Sequence, residues 1–142
     1  MTVRPAIDKD VNAVYGFINL LENTVFDFDV FTVMYIHNLK LQDNIYLVAE
    51  DDKGIVRGFL SCHGQILLHH LDKVFEIQEL FVEEAYRSKK VGQLLLEHLE
   101  KILKLRGHIF LEVASSIRRT NAHRFYMRNG FEQSHFRFTK KL

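Results

Sequence analysis

Tryptophan is absent from this 142-residue sequence, and proline and cysteine occur once each, as Pro5 and Cys62. One cysteine excludes a disulfide within the chain and any Cys-rich zinc site, and it suits a reducing interior. An excess of positive charge is also missing: 19 Lys and Arg face 18 Asp and Glu, a net charge of +1 with neutral His. A non-specific nucleic-acid binder needs a clear basic surplus, so no nucleic-acid partner is expected. No apolar run approaches the ~20 residues of a membrane span, and Met1-Thr2-Val3-Arg4-Pro5 lacks the apolar core of a signal peptide. The expectation is a soluble, cytoplasmic protein with no membrane partner. There is no linker, repeat or low-complexity tract, and a chain of this length fills one core rather than two. Residues 1–142 therefore read as a single domain.

What is present is an ordinary globular balance, 47% apolar and 26% charged, with 12 Phe to fill a core. The pattern alternates strands and helices. Val3–Ile7 is a first strand. Asp8 can cap a helix through about Leu21, with Val11, Val14, Tyr15, Ile18 and Leu21 on one face. A second helix covers roughly Val30–Leu41. Ile45–Ala49 and Ile55–Ser61 form a hairpin around the turn Asp51-Asp52-Lys53-Gly54. A fourth strand spans Val74–Val82. A helix over Val91–Leu105 turns Leu94, Leu95, Ile102 and Leu105 inward. His108–Val113 is a fifth strand, and Thr120–Arg128 is a helix ended by Asn129-Gly130. From Phe131 a last strand alternates Phe136 and Phe138 with His135 and Arg137. This is a mixed α/β order, with antiparallel hairpins early and a strand–helix–strand crossover late. Cys62 has no visible basic neighbour or helix N-terminus to activate it and reads as a core residue.

Two constellations carry chemistry. In the first, Glu76-Ile77-Gln78-Glu79-Leu80-Phe81-Val82 runs into a basic turn holding Arg87, Ser88, Lys89 and Lys90, and the turn opens a helix at Val91-Gly92. A helix start offers unpaired N–H groups and partial positive charge, which suits a pyrophosphate. A solvated basic turn has the same appearance. In the second, Ala122 and Phe125 lie one turn apart on a helix that also carries Tyr126, followed by Gly130-Phe131. A phenol of pKa near ~10 stays protonated at neutral pH and can donate.

Leu80-Phe81-Val82 with Arg87-Ser88-Lys89-Lys90-Val91-Gly92 resembles the pyrophosphate loop of the GNAT N-acetyltransferases, except that Lys90 stands where a glycine is usual. Ala122, Phe125, Tyr126, Gly130 and Phe131 match that superfamily's second signature. Arg119 stands where an Asn often does. The resemblance covers nearly the whole chain. It implies a mixed, mostly antiparallel central sheet with flanking helices, its fourth and fifth strands splayed apart after Glu79. It also implies acetyl-CoA as cosubstrate, held by the loop Arg87–Gly92 and by the backbone of Leu80, Phe81 and Val82. Ala122–Tyr126 and the run Phe131–Lys140 are further similar to the acetyltransferases that act on aminoalkylphosphonates. That implies a small acceptor bearing a primary amine and a phosphonate.

Acetyl transfer to such an amine needs a base, and Glu79, acting directly or through a water, is the first candidate. Glu76 is the second; on a regular strand residues three apart face opposite sides, and a bulge would change that. Tyr126 is the candidate acid for the departing sulfur. His135 and Arg137, on one strand face, are candidates for the phosphonate. A divalent metal beside a phosphonate is chemically reasonable, with His69 and His70 a pair that only a loop could aim together; no ligand set is assigned. The family and the Phe-rich C-terminal strand leave room for a homodimer. Other readings stay open: an acetyltransferase for a polyamine, amino sugar or peptide, a CoA-binding module without catalysis, or a plain interaction domain.

Overall fold

A computed structural model describes all residues from Met1 to Leu142. Its elements run β1 (Thr2–Pro5), α1 (Val11–Glu22), α2 (Phe28–Leu39), β2 (Asn44–Glu50), β3 (Val56–Leu67), β4 (Asp72–Val82), α3 (Val91–Leu105), β5 (Leu111–Val113) and α4 (Thr120–Arg128). The strands form one sheet in the order β1-β2-β3-β4-β5, antiparallel except for β4 against β5.

The sheet is apolar on both faces, because neighbouring side chains along each strand serve different helices. One face packs Leu47, Leu60, Cys62, Phe75 and Ile77 against Val91, Leu95, Leu96, Leu99 and Leu103 of α3. The other packs Val48, Phe59 and Phe81 against Val14, Phe17 and Ile18 of α1 and Tyr35 of α2. Helix α3 lies close on β3. A Cβ at Gly58 would come within 3.2 Å of Leu95 and of the Phe81 carbonyl, so only glycine sits there without displacement. Leu105, expected inward, is 80% exposed; the buried stripe follows the i, i+4 spacing of Val91, Leu95, Leu99 and Leu103 instead.

The helix before β2 begins differently from the expectation. Asp8–Asp10 is a single 3₁₀ turn, and α1 starts only at Val11. Asp10, not Asp8, closes the turn by accepting from the Ile7 N–H at 2.8 Å, while Arg4 grips both its oxygens at 2.8 and 2.9 Å. Burial opposes ionisation of Asp10, but the Arg4 guanidinium and the Ile7 N–H outweigh it and hold the carboxyl below its ordinary range. Helix α2 starts at Phe28, earlier than expected, capped by Asp27 accepting from the Val30 N–H.

Two strands near the C-terminus fall short of the sequence reading. The fifth strand is confined to Leu111–Val113, and no strand forms beyond Phe131. A strand needs a neighbour for its N–H and C=O groups. Three residues of β5 offer a short edge, and Phe136 and Phe138 remain 88% and 93% exposed.

Candidate active site

The parallel pairing of β4 with β5 covers only Phe75–Ile77 against Leu111–Val113. Past Ile77 the strands part. Glu79 stands where the opening begins, and Leu80, Phe81 and Val82 pair with Leu60, Phe59 and Gly58 of β3 alone. One sheet edge is thereby left without a β5 partner, as the splayed arrangement requires.

A bulge sets which groups face this opening. The β3–β4 register steps from Ser61↔Glu79 to Cys62↔Ile77, so Gln78 is an additional residue in β4. Phe75 and Ile77 face α3, and so do Leu80 and Val82, while Phe81 faces α1. The alternation switches across Gln78, and Glu76 and Glu79 therefore share the α1/α2 face. A regular strand would have separated them.

Glu79 is fixed from both ends. Its carboxylate accepts from the Ser61 hydroxyl, and its N–H donates to the same Ser61 oxygen at 3.1 Å. Ser61 is fully buried. Burial pushes the Glu79 carboxyl up, the Ser61 bond opposes that, and the negative charge of Glu22 adds to it; the net shift is upward. Glu22, at the end of α1, is in turn approached at 3.4 Å by Arg119, whose Nη2 also donates to the Leu21 carbonyl at 3.0 Å. Arg119 precedes α4, which carries Tyr126.

Tyr126 is half-buried, with ring centroids of Phe125 and Phe131 at 5.4 and 5.5 Å, both edge-on. Burial raises its phenol to about 12, with Arg119 pulling the other way. Its hydroxyl donates to no protein acceptor. The Glu22–Arg119 pair thus influences both the Glu79 carboxyl and the Tyr126 phenol.

At the far end of β4 the basic turn leads into α3. Ser88 and Lys90 both take left-handed backbone conformations, φ 64° and 63°, and no side chain caps the helix. Alternating backbone handedness before an uncapped helix aims successive N–H groups into a concavity suited to anions. Lys90 adopts the conformation that the more usual glycine would take. An L-residue there is strained by about 1–2 kcal/mol. Lys90→Gly is therefore expected to raise stability by about 1 kcal/mol, or roughly 3 °C in Tm, in a thermal melt; a lower Tm would mean that the lysine side chain holds the loop together.

The side chains of this turn divide their work. Val91 is buried in the core and offers the loop only its backbone. Arg87 Nε donates to the Val82 carbonyl at 3.0 Å, and its guanidinium lies over Phe81. Lys89 lies over the Tyr86 ring. A Cβ at Gly92 would meet the Phe125 ring at 3.4 Å, so this glycine brings α4 close to the start of α3.

His135 and Arg137 share no strand face, because no strand forms there. Arg137 nevertheless reaches the α1/α2 face, donating to Glu76 Oε1 at 3.2 Å. His135 is exposed and engages only Ser134. No group of three or more His, Cys, Asp or Glu side chains is arranged to hold a metal ion; His70 lies 3.7 Å from Glu112, with its ring against those of His69 and Phe110. A hollow of about 470 Å³ along Glu97, Glu100, Lys101, Lys104 and Leu105 lies on the outer side of α3, away from the opening.

Sequence reasoning missed Ser61, His63, Tyr46, Asn38, Glu22 and Arg119 as parts of this face. A signal existed for two of them: Phe59, Ser61 and His63 alternate along β3, which puts both polar side chains on the Phe59 face.

The family model described as an acetyltransferase (GNAT) domain matches residues 42–133. The aminoalkylphosphonate N-acetyltransferase of Salmonella typhimurium is 39% identical over 140 residues, covering 99% of this chain and 90% of that protein. The fold is similar to that of a transcriptional regulator from Bacillus halodurans, with a TM-score of 0.88, 19% identity and 99% of both chains covered. It is also similar to that of an aminoglycoside antibiotic 6'-N-acetyltransferase from Acinetobacter baumannii, with a TM-score of 0.85, 16% identity and 99% and 97% covered. No helix of this chain is long and apolar enough to cross a membrane.

Proposed function

The chain belongs to the GNAT acetyltransferase family, and we propose that residues 1–142 act as one domain that acetylates the primary amine of a small aminoalkylphosphonate. The observation that carries this reading is the 39% identity, sustained over nearly the whole of both chains, to an enzyme named for that acceptor. The polar face around Glu79 supports it.

Acetyl-CoA supplies the acetyl thioester. The uncapped start of α3, the left-handed residues Ser88 and Lys90, and the cations Arg87 and Lys89 fit its pyrophosphate. The unpaired edge at Leu80–Val82 fits its extended arm. An alkyl ammonium with a pKa near ~10.4 must lose a proton before it can attack. Glu79, with its carboxyl raised and its orientation fixed by Ser61, takes that proton directly or through a water. The neutral amine nitrogen bonds to the acetyl carbon, the carbon–sulfur bond breaks, the Tyr126 O–H gives its proton to the departing sulfur, and the second proton shed by the nitrogen returns to the Tyr126 oxygen, directly or through water.

Arg137 is the clamp for the phosphonate. Only its Nη2 engages Glu76, so the remaining guanidinium N–H groups are available to an anion. His135, which engages only Ser134, is a second candidate for an oxygen of the phosphonate. Arg137→Ala is expected to raise the KM of the acceptor by about tenfold or more and to leave the acetyl-CoA KM nearly unchanged. Arg137→Lys restores part of the loss, since an ammonium keeps the charge but not the fork. Equal acceptor KM values in all three enzymes would place the phosphonate elsewhere.

A further inference from the structure

His63 takes no part in proton transfer to Glu79 or from Tyr126. It lies on β3, half-buried, two residues beyond Ser61 on the α1/α2 face. Its ring stacks on Tyr46 at 5.7 Å between centroids, nearly parallel. Behind Tyr46 stands Asn38 of α2, and the three side chains form a hydrogen-bonded chain.

The direction of that chain is fixed by its far end. Asn38 Nδ2 can only donate, and it donates to the Tyr46 hydroxyl oxygen at 2.8 Å. The Tyr46 hydroxyl has no acceptor in the protein other than His63 Nε2, 3.0 Å away, so its proton goes there. Nε2 accepts, so in the neutral ring the proton sits on Nδ1. Burial favours that neutral ring, with the charge of Glu76 opposing. Nδ1–H donates to no protein acceptor. Glu76, the cross-strand partner of His63, turns its Oε1 to Arg137 instead.

We infer that His63 is a specificity-determining residue for the acceptor: the chain Asn38–Tyr46–His63 presents Nδ1–H beside Arg137 as a donor to an oxygen of the acceptor's phosphonate. The inference rests on the aminoalkylphosphonate reading. Along the ladder the His63–Glu76 pair stands two pairs from Ser61–Glu79, about 7 Å at two residues of strand rise. An anion held at His63 and Arg137 therefore leaves an amine on a short alkyl arm within reach of Glu79.

Two isosteric substitutions separate the ring nitrogens. His63→Gln keeps a polar group near Nε2, where Tyr46 needs it, and loses the donor at Nδ1. His63→Asn does the reverse. With 2-aminoethylphosphonate as acceptor, His63→Gln is expected to raise KM by roughly tenfold to a hundredfold, the loss of one hydrogen bond to a charged group. The KM of acetyl-CoA, and that of n-propylamine as an acceptor without the anion, should stay within about twofold. His63→Asn should keep most of the preference for the phosphonate. An unchanged phosphonate KM in His63→Gln, or an equal rise for both acceptors, overturns the inference and leaves the substrate reading standing. A wild-type enzyme that ignores aminoalkylphosphonates removes that reading and the inference with it. Should the variants fail to fold, ¹⁵N-histidine spectra of the wild-type protein decide. The expected result is a protonated Nδ1 in His63 whose resonance moves when 2-aminoethylphosphonate is added with CoA present. A ring protonated at Nε2, or one indifferent to the ligand, overturns it.

Discussion

Tyr126→Phe is expected to lower turnover at saturating substrates by about 10²–10⁴-fold while the protein folds normally. The substitution keeps the ring between Phe125 and Phe131, so the edge-on packing that seats α4 survives. It removes only an O–H that bonds to nothing in the protein, so the folded state loses no hydrogen bond. A phenol pushed up to about 12 stays protonated across the neutral range, so its O–H is present to donate to the sulfur as it departs. Rapid-quench or steady-state turnover with a good acceptor reads the effect. A near-normal turnover number would mean that the sulfur is protonated by something other than Tyr126.

Glu79→Gln is expected to lower kcat by a comparable factor, about 10²–10⁴-fold, and to change the shape of the pH profile. In the wild-type enzyme activity should rise with pH through the Glu79 carboxyl, at a value above that of an ordinary glutamate, because burial and Glu22 both favour the protonated form. The variant should lack this acid limb. Stability moves the opposite way. A carboxyl raised in the folded state contributes stability that is complete below its unfolded pKa and is lost as pH rises through the folded value. Glu79→Gln should therefore unfold less readily than the wild type at neutral and higher pH, and match it more closely in acid. A variant that is inactive and also less stable at every pH would assign Glu79 to the structure rather than to proton transfer.

The elements with long periodic patterns were legible in the sequence. Helix α3, the β2–β3 hairpin and α4 with its ending at Gly130 lie close to where spacing and turn residues put them. So did the parting of β4 from β5, through the family resemblance. What escaped depends on partners distant in the chain. The bulge at Gln78 exists because of how β4 registers on β3, and no local residue announces it; without it Glu76 and Glu79 appear to face apart. Ser61 meets Glu79 eighteen residues away, and Tyr46 meets His63 seventeen away. The C-terminal run shows the converse error. Its alternation of Phe136 and Phe138 with His135 and Arg137 is that of a strand, but alternation alone does not supply the neighbouring strand that hydrogen bonds require. Arg137 reaches the α1/α2 face without it, by a side-chain contact with Glu76.

The acceptor is identified most directly by following CoA thiol release from acetyl-CoA with a panel of amines that includes aminoalkylphosphonates, spermidine and an amino sugar. Rapid release is expected with the aminoalkylphosphonates, slow or no release with the others, and an acetylated amine as the product. Rapid acetylation of spermidine with no turnover of any aminoalkylphosphonate would contradict the aminoalkylphosphonate reading.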